Sequence, residues 1–303
     1  MSRNFRALMR TSRPRFWIYL AGPWILGTFA GAPDAGFFAK PIFWVGLAYC
    51  LLPANLLVYG VNDWFDLETD RLNAKKSGDA AGYEALLDPS RHRATAVAIV
   101  ATQVPFLCMA AAAWVRGAIT LPMICAWGGF LFTGIGYSAP PVRAKARPVV
   151  DSLFNALYAC PGFAAFFATG APLDAVPVPI VLAAWFWCMA MHAFSAVPDI
   201  AADREAGVDT VATLLGAHVT VAGCALLYGM SALLTSVATP WPVVRWGVPL
   251  LGLGYLGFMG AAWRKLPGDG VFAVYRAFPI WNACSGFLIT MMVLWSRWPH
   301  LRP

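Results

Sequence analysis

Two acidic clusters carry most of the chemistry available to this sequence. The first reads Asn62-Asp63-Trp64-Phe65-Asp66-Leu67-Glu68-Thr69-Asp70 and continues as Arg71-Leu72-Asn73; the second is Asp199-Ile200-Ala201-Ala202-Asp203-Arg204-Glu205. On a continuing helix Asn62, Asp66 and Asp70 fall at i, i+4 and i+8 and share one face, with Asp199 and Asp203 at i and i+4 in the second cluster. Asp63 points partly off that face. Carboxylates so close together repel one another unless a cation lies among them. Mg²⁺ suits such a place, because it prefers oxygen ligands, keeps several waters and commonly joins one or two carboxylates to substrate phosphates. Two facing rows are therefore expected to hold a diphosphate through Mg²⁺, with the hydrocarbon tail between helices and the metal neutralising charge on the leaving diphosphate. Solvated charges at helix ends are the plain alternative for one cluster, but two clusters of like spacing on the same side argue against it.

Basic residues accompany the acids. In Tyr137-Ser138-Ala139-Pro140-Pro141-Val142-Arg143-Ala144-Lys145-Ala146-Arg147-Pro148 the prolines disfavour a helix, so Arg143, Lys145 and Arg147 are expected to project from an extended loop. There they either orient the chain in a bilayer or hold phosphate oxygens, Arg in bidentate fashion and Lys as a point charge. Lys75, Lys76 and Arg204 are further candidates for the second role. His192 lies seven residues before Asp199, about two turns away on a similar face. It reads as a packing histidine before it reads as a base or a cation-quenching partner. His92, His218 and His300 lack metal-ligand spacing. The seven cysteines fall in apolar runs without a CxxC pair, which points to packing and away from zinc or a disulfide framework.

The elements that must position these groups are apolar. Of 303 residues, 59% are hydrophobic and only 12% charged, about half the charged share of an ordinary soluble domain. Apolar runs near 20 residues recur at 16–32, 41–61, 94–114, 118–137, 152–170, 177–198, 219–238, 243–262 and 277–296, as membrane spans require. An all-α integral membrane protein of about nine spans follows, read as one domain over 1–303 with a polar segment 1–15 and no cleavable signal. Arg3, Arg6, Arg10, Arg13 and Arg15, the loop after span two, and Arg143, Lys145 and Arg147 place most of the 22 Lys and Arg on one side. That bias puts the N-terminus in the cytoplasm and the C-terminus outside. Of fifteen Asp and Glu only Asp34 and Asp174 fall in outside loops, so the chemistry is expected at the cytoplasmic face. The formal charge of +7 is topogenic in this distribution, and nucleic-acid binding is not expected. Lys75 to Ser90 reads as a loop long enough to act as a lid.

These motifs resemble the UbiA-type membrane prenyltransferases. The pattern NDxxDxxxD at 62–70, YSxPP with a following Lys at 137–145, and DxxxD at 199–203 match in order and spacing. The resemblance runs from Thr11-Ser12-Arg13-Pro14 to span nine. It implies helices enclosing a central cavity open to the cytoplasmic face and the bilayer. It further implies Mg²⁺-diphosphate on Asn62, Asp66, Asp70, Asp199 and Asp203, with Lys75, Tyr137, Arg143, Lys145, Arg147 and Arg204 as diphosphate contacts. The segments NDWFDLETDRLNAKK at 62–76, YSAPPVRAKARPVVDS at 137–152 and HAFSAVPDIAADREAGVDTVATLLG at 192–216 are most similar to the lycopene elongase/hydratase branch. Ala74-Lys75-Lys76 stands where members acting on quinone precursors more often have Arg-Pro. The implied reaction transfers dimethylallyl from its diphosphate to a lipophilic acceptor, lycopene, with elongation and hydration or proton loss on the way to long-chain (C50) carotenoids. An aromatic acceptor, such as a quinone precursor or chlorophyll-like ring, is the alternative that shares every metal ligand, and a transporter is a remote one.

Overall fold

The computed structural model describes residues 3–66, 89–266, 268 and 270–299. Among these residues all regular elements are helical: α1 Arg3–Thr11, α2 Ile18–Gly31, α3 Pro41–Phe65, α4 His92–Val115, α5 Leu121–Gly136, α6 Val150–Leu153, α7 Cys160–Ala168, α8 Val178–Ala196, α9 Ile200–Glu205, α10 Val211–Ala238, α11 Pro242–Lys265 and α12 Gly270–Arg297. A tight 3₁₀ stretch, Phe154–Tyr158, lies between α6 and α7, and another, Val197–Asp199, carries α8 into α9. Each expected apolar span is occupied by one of these helices or pairs. Among the described residues seven helical stretches are long and apolar enough to cross a membrane. The other two, α2 and α5, have 14 and 16 residues; they rise about 21 and 24 Å, short of a hydrocarbon core of about 30 Å. Residues 67–88 lie outside the described residues, and with them Asp70, Lys75 and most of the segment Lys75 to Ser90 that reads as a lid.

Helix starts follow from local chemistry. Pro41, Pro122, Pro179 and Pro242 stand in the first turns of α3, α5, α8 and α11, where a missing N–H costs nothing because it would have no helical partner. Thr210 opens α10 with reciprocal bonds to Thr213: its Oγ1 accepts the Thr213 N–H at 3.2 Å while Thr213 Oγ1 accepts the Thr210 N–H at 2.8 Å.

The residues form two compact units, Met1–Ala144 with Cys160–Ala171, and Lys145–Ala159 with Pro172–Pro303. In the first, α2 packs along α7 and α3, and α4 along α3. A Cβ on Gly27 would strike the backbone of Gly162, and one on Gly31 would meet Thr169 Oγ1 at 2.6 Å and the Phe166 carbonyl at 2.9 Å. Gly27 and Gly31 thus make the small-residue seam at i and i+4 that lets helices in lipid approach closely. Pro53 interrupts the bonding of α3, and side chains cover nearby carbonyls: Asn55 Nδ2 donates to Cys50 and Leu51 at 2.7 and 2.6 Å, and Gln103 Nε2 donates to Pro53 at 2.9 Å. Tyr49 Oη closes this network on Gln103 Oε1 at 2.7 Å.

In the second unit α8 packs on α10, α10 on α11, and α11 on α12. Trp187 Nε1 donates to Tyr255 Oη at 3.0 Å, which donates to Asn282 Oδ1 at 2.9 Å. Outward faces in both units carry exposed Val100, Leu107, Leu226, Leu233, Leu250 and Phe287. On helices this apolar such faces are lipid surfaces, and the protein is an integral, multi-pass membrane protein.

His92, which lacks metal-ligand spacing, proves to be a fastener. Its ring stacks on Trp64 at 3.7 Å with 8° between planes, and its Nε2 donates to the Trp64 carbonyl at 3.0 Å. That carbonyl is in the last turn of α3, where helical acceptors go unfilled. The end of α3 and the start of α4 are thereby clamped on either side of segment 67–88. His92→Ala is expected to cost about 1–2 kcal/mol, seen as a melting temperature lower by a few degrees in detergent; an unchanged melt would remove the clamp.

Candidate active site

The first acidic motif is built at the C-terminal end of α3. Among the described residues that helix stops at Phe65; Asp66 follows with φ −110° and ψ 8°, and its N–H still bonds the Asn62 carbonyl at 3.0 Å. The expected pairing of Asn62 with Asp66 is therefore present although the regular helix ends at Phe65, one residue before Asp66. Asn62 Nδ2 donates to Asp66 Oδ2 at 2.8 Å and to Ser138 Oγ at 3.0 Å, and Ser138 Oγ donates to the same Oδ2 at 3.3 Å. Asp66 and Ser138 are each 1% exposed. A carboxylate is thus held at one orientation by a neighbour one helical turn away and another 72 residues along the chain.

Ser138 was not singled out beside Tyr137. The signal was present in the Tyr-Ser-x-Pro-Pro run, where Tyr137 closes α5 by donating its N–H to the Thr133 carbonyl at 3.0 Å and the chain turn that follows delivers the small hydroxyl to Asp66.

Asp63, which points partly off the row, has a different partner. Arg13 Nη2 donates to its Oδ1 at 2.9 Å, and the Arg13 guanidinium lies 4.6 Å over the Tyr59 ring. Arg13 takes φ 48° and ψ 70° just before the turn into α2, a left-handed conformation that side chains rarely adopt. Counted among the topogenic charges, Arg13 in fact anchors the N-terminal segment beside the first motif.

Pro198 shapes the second motif. Lacking an N–H, it sits in the second position of the 3₁₀ turn Val197–Asp199, within the first turn where no helical N–H bond is lost. Asp199 precedes α9 and Asp203 lies within it, both half-buried. The Asp203 carbonyl accepts the Val208 N–H at 2.8 Å and ends the helix. Arg204 is exposed and directs Nη2 to the Thr213 carbonyl at 3.4 Å. Of the basic group, Arg143 and Arg147 are exposed and Lys145 is half-buried. The chain between them is a short 3₁₀ turn, Ala144–Ala146, and not the fully extended loop expected; Arg143 takes φ 41° to enter it.

One group near the second motif was missed. Asp151, at the start of span five, is fully buried. Its Oδ1 accepts the Ser152 N–H at 2.7 Å and its Oδ2 the Val211 N–H at 2.8 Å, and His192 Nε2 stands 3.6 Å from that Oδ2. An acid next to an apolar run is itself a signal of function at membrane depth.

The chain is 39% identical to a lycopene elongase/hydratase of Halobacterium salinarum, over 96% of this chain and 98% of that one. It is 36% identical to another of the same name from Haloferax volcanii, over 94% and 87%. A UbiA homologue from Archaeoglobus fulgidus, solved with DMAPP and Mg²⁺, shares the fold with a TM-score of 0.66 at 22% identity, covering 94% of this chain and 99% of that one. A family model matches residues 17–296, nearly the whole described structure, and the chain belongs to the UbiA prenyltransferase family.

Proposed function

We propose that this protein transfers a dimethylallyl group from its diphosphate to lycopene in an Mg²⁺-dependent reaction, elongating the carotenoid and hydrating it. The acceptor reading is carried by near-full-length similarity, at 36–39% identity, to relatives named lycopene elongase/hydratase. DMAPP and Mg²⁺ are the ligands of the Archaeoglobus fulgidus homologue. We read the whole chain as one prenyltransferase domain that carries both acidic motifs. The basic-residue bias puts both motifs and the N-terminus in the cytoplasm, and the C-terminus outside.

The residues fit the metal. Among the described residues no three His, Cys, Asp or Glu side chains gather into a cluster, and Mg²⁺ does not require one. It is commonly held by one or two carboxylates, waters and substrate phosphate oxygens. Asn62, Asp66 and Ser138 form an oxygen-bearing set around one buried carboxylate, and Asp199 and Asp203 supply the second pair, with Asp70 completing the first row. Mg²⁺ held by these residues would supply neutralisation of the charge that develops on the departing diphosphate.

The chain's own residues do the rest. Asn62 and Ser138 hold Asp66 in one orientation. Arg143, Lys145 and Arg147, with Lys75, Tyr137 and Arg204, take the remaining phosphate oxygens through charge-assisted or hydroxyl bonds. The acceptor is a hydrocarbon whose terminal double bond is itself the nucleophile, so no base is needed to activate it.

Membranes containing the protein, supplied with lycopene, dimethylallyl diphosphate and Mg²⁺, should yield carotenoids one and two prenyl units heavier by liquid chromatography and mass spectrometry. Products carrying added water are expected as well. EDTA should remove all of them. Unchanged lycopene, together with prenylation of an aromatic acceptor by the same membranes, would overturn the carotenoid assignment while leaving the family chemistry standing.

A further inference from the structure

His192 and Asp151 form a polar pair that the prenyl-transfer step does not use. Asp151 is fully buried, with one carboxylate oxygen on the Ser152 N–H and the other on the Val211 N–H. Val211 is the first residue of α10, so the carboxylate lies at a helix start, where unfilled N–H groups favour negative charge. Those two bonds already satisfy the fold's use for the acid. They do not account for a histidine on the facing helix, α8, with Nε2 3.6 Å from Asp151 Oδ2. A histidine in an apolar helix is costly and marks function by default. The His192 side chain remains 12% exposed while that of Asp151 has no exposure, so of the pair the imidazole is the member that a small molecule can reach.

Register ties this pair to the second motif. Four α-helical steps and three 3₁₀ steps separate His192 from Asp199. They give about 12 Å of rise and a little over two turns, which leaves the two side chains on much the same side. His192 thus stands deeper in the same helical stretch than Asp199 and on much the same side.

We propose that His192, backed by Asp151, accepts the proton of the water that quenches the carotenoid cation, and so supplies the hydratase half of the reaction. The inference rests on the lycopene reading above and deepens it. A C–C bond forms from the acceptor's terminal double bond to the allylic carbon as the C–O bond to diphosphate breaks, leaving a tertiary cation on the acceptor. A water lone pair then forms the C–O bond. One O–H bond breaks with its electrons returning to oxygen, and the proton passes to the imidazole ring, whose new positive charge is offset by the Asp151 carboxylate. No oxidant or reductant is consumed.

The test separates transfer from hydration by mass. Membranes bearing wild type, His192→Gln or His192→Ala are given lycopene, dimethylallyl diphosphate and Mg²⁺, and total prenylated product and its hydrated fraction are measured. For His192→Gln, prenylation should stay within about threefold of wild type while the hydrated fraction falls about tenfold or more, the loss expected of a general base. Added imidazole should restore hydration in His192→Ala, a rescue that a packing role would not show. An unchanged hydrated fraction in both variants overturns the proposal. Wild type that prenylates lycopene without hydrating it overturns the proposal too and leaves the transferase reading intact, whereas wild type with no carotenoid product overturns both.

Discussion

Asp66→Asn is expected to lower prenyl transfer on the order of 10³-fold, the loss of about 4 kcal/mol of charge stabilisation at the leaving diphosphate. The substitution is nearly isosteric, and the helix end should survive it, since the Asp66 N–H still reaches the Asn62 carbonyl. What changes is charge. The buried carboxylate becomes a neutral amide, and the polar set of Asn62, Asp66 and Ser138 loses its one anion. Ser138→Ala is the informative companion. It removes a single neutral hydroxyl contact to Asp66 Oδ2 at 3.3 Å, worth about 1 kcal/mol, so several-fold loss of rate is expected in place of abolition. Both proteins should accumulate in membranes at wild-type level and melt near the wild-type temperature. Should Asp66→Asn keep more than about a tenth of the rate with its Mg²⁺ requirement unaltered, Asp66 is not a metal ligand.

Gly27→Val is expected to disrupt the fold itself. The seam between α2 and α7 leaves no room for a Cβ at Gly27, where the obstructing group is the Gly162 backbone, not a side chain that could swing away. Backbones must then separate, and the packing of Gly31 against Phe166 and Thr169 goes with them. Overpacking of this kind costs about 3 kcal/mol or more, so a melting temperature lower by roughly 10 °C or failure to accumulate in membranes is expected. Gly223→Ala in α10 is the control. Nothing lies within 4 Å of a Cβ there, and the better helix former should leave stability unchanged or raise it. Equal damage from both substitutions would mean that helix glycines matter here generally and that the α2–α7 seam is nothing special.

Much of this protein was legible from residue types and spacing. Apolar runs long enough for a bilayer specify helices, because lipid offers the backbone no other hydrogen-bond partner. The paired acidic motifs are what lead to the proposed Mg²⁺ site, because so many carboxylates at helix ends are otherwise mutually repulsive. The Gly27–Gly31 seam is also open to reading, as small residues at i and i+4 in an apolar helix, although nothing in the sequence sets that pair apart from the other glycines. Element ends were less legible. The straight helix expected through Asn62, Asp66 and Asp70 stops at Phe65, and the row at Asp199 is entered through a 3₁₀ turn. Both depend on local competition among backbone bonds that periodicity does not record.

The sequence by itself determined the solvent this chain requires, its helical class and the oxygen-rich acidic motifs. Those properties follow from each residue's own chemistry and from neighbours within a turn or two. Tertiary structure alone decided which acid meets which partner. Asp63 faces Arg13 and Asp66 faces Ser138, although adjacent motif positions gave no hint of that division. Asp151 and His192, 41 positions apart, meet because α8 packs against the residues that open span five. Contacts between residues so far apart in sequence are set by how helices pack, which depends on the shapes of both surfaces at once and is encoded in no single segment.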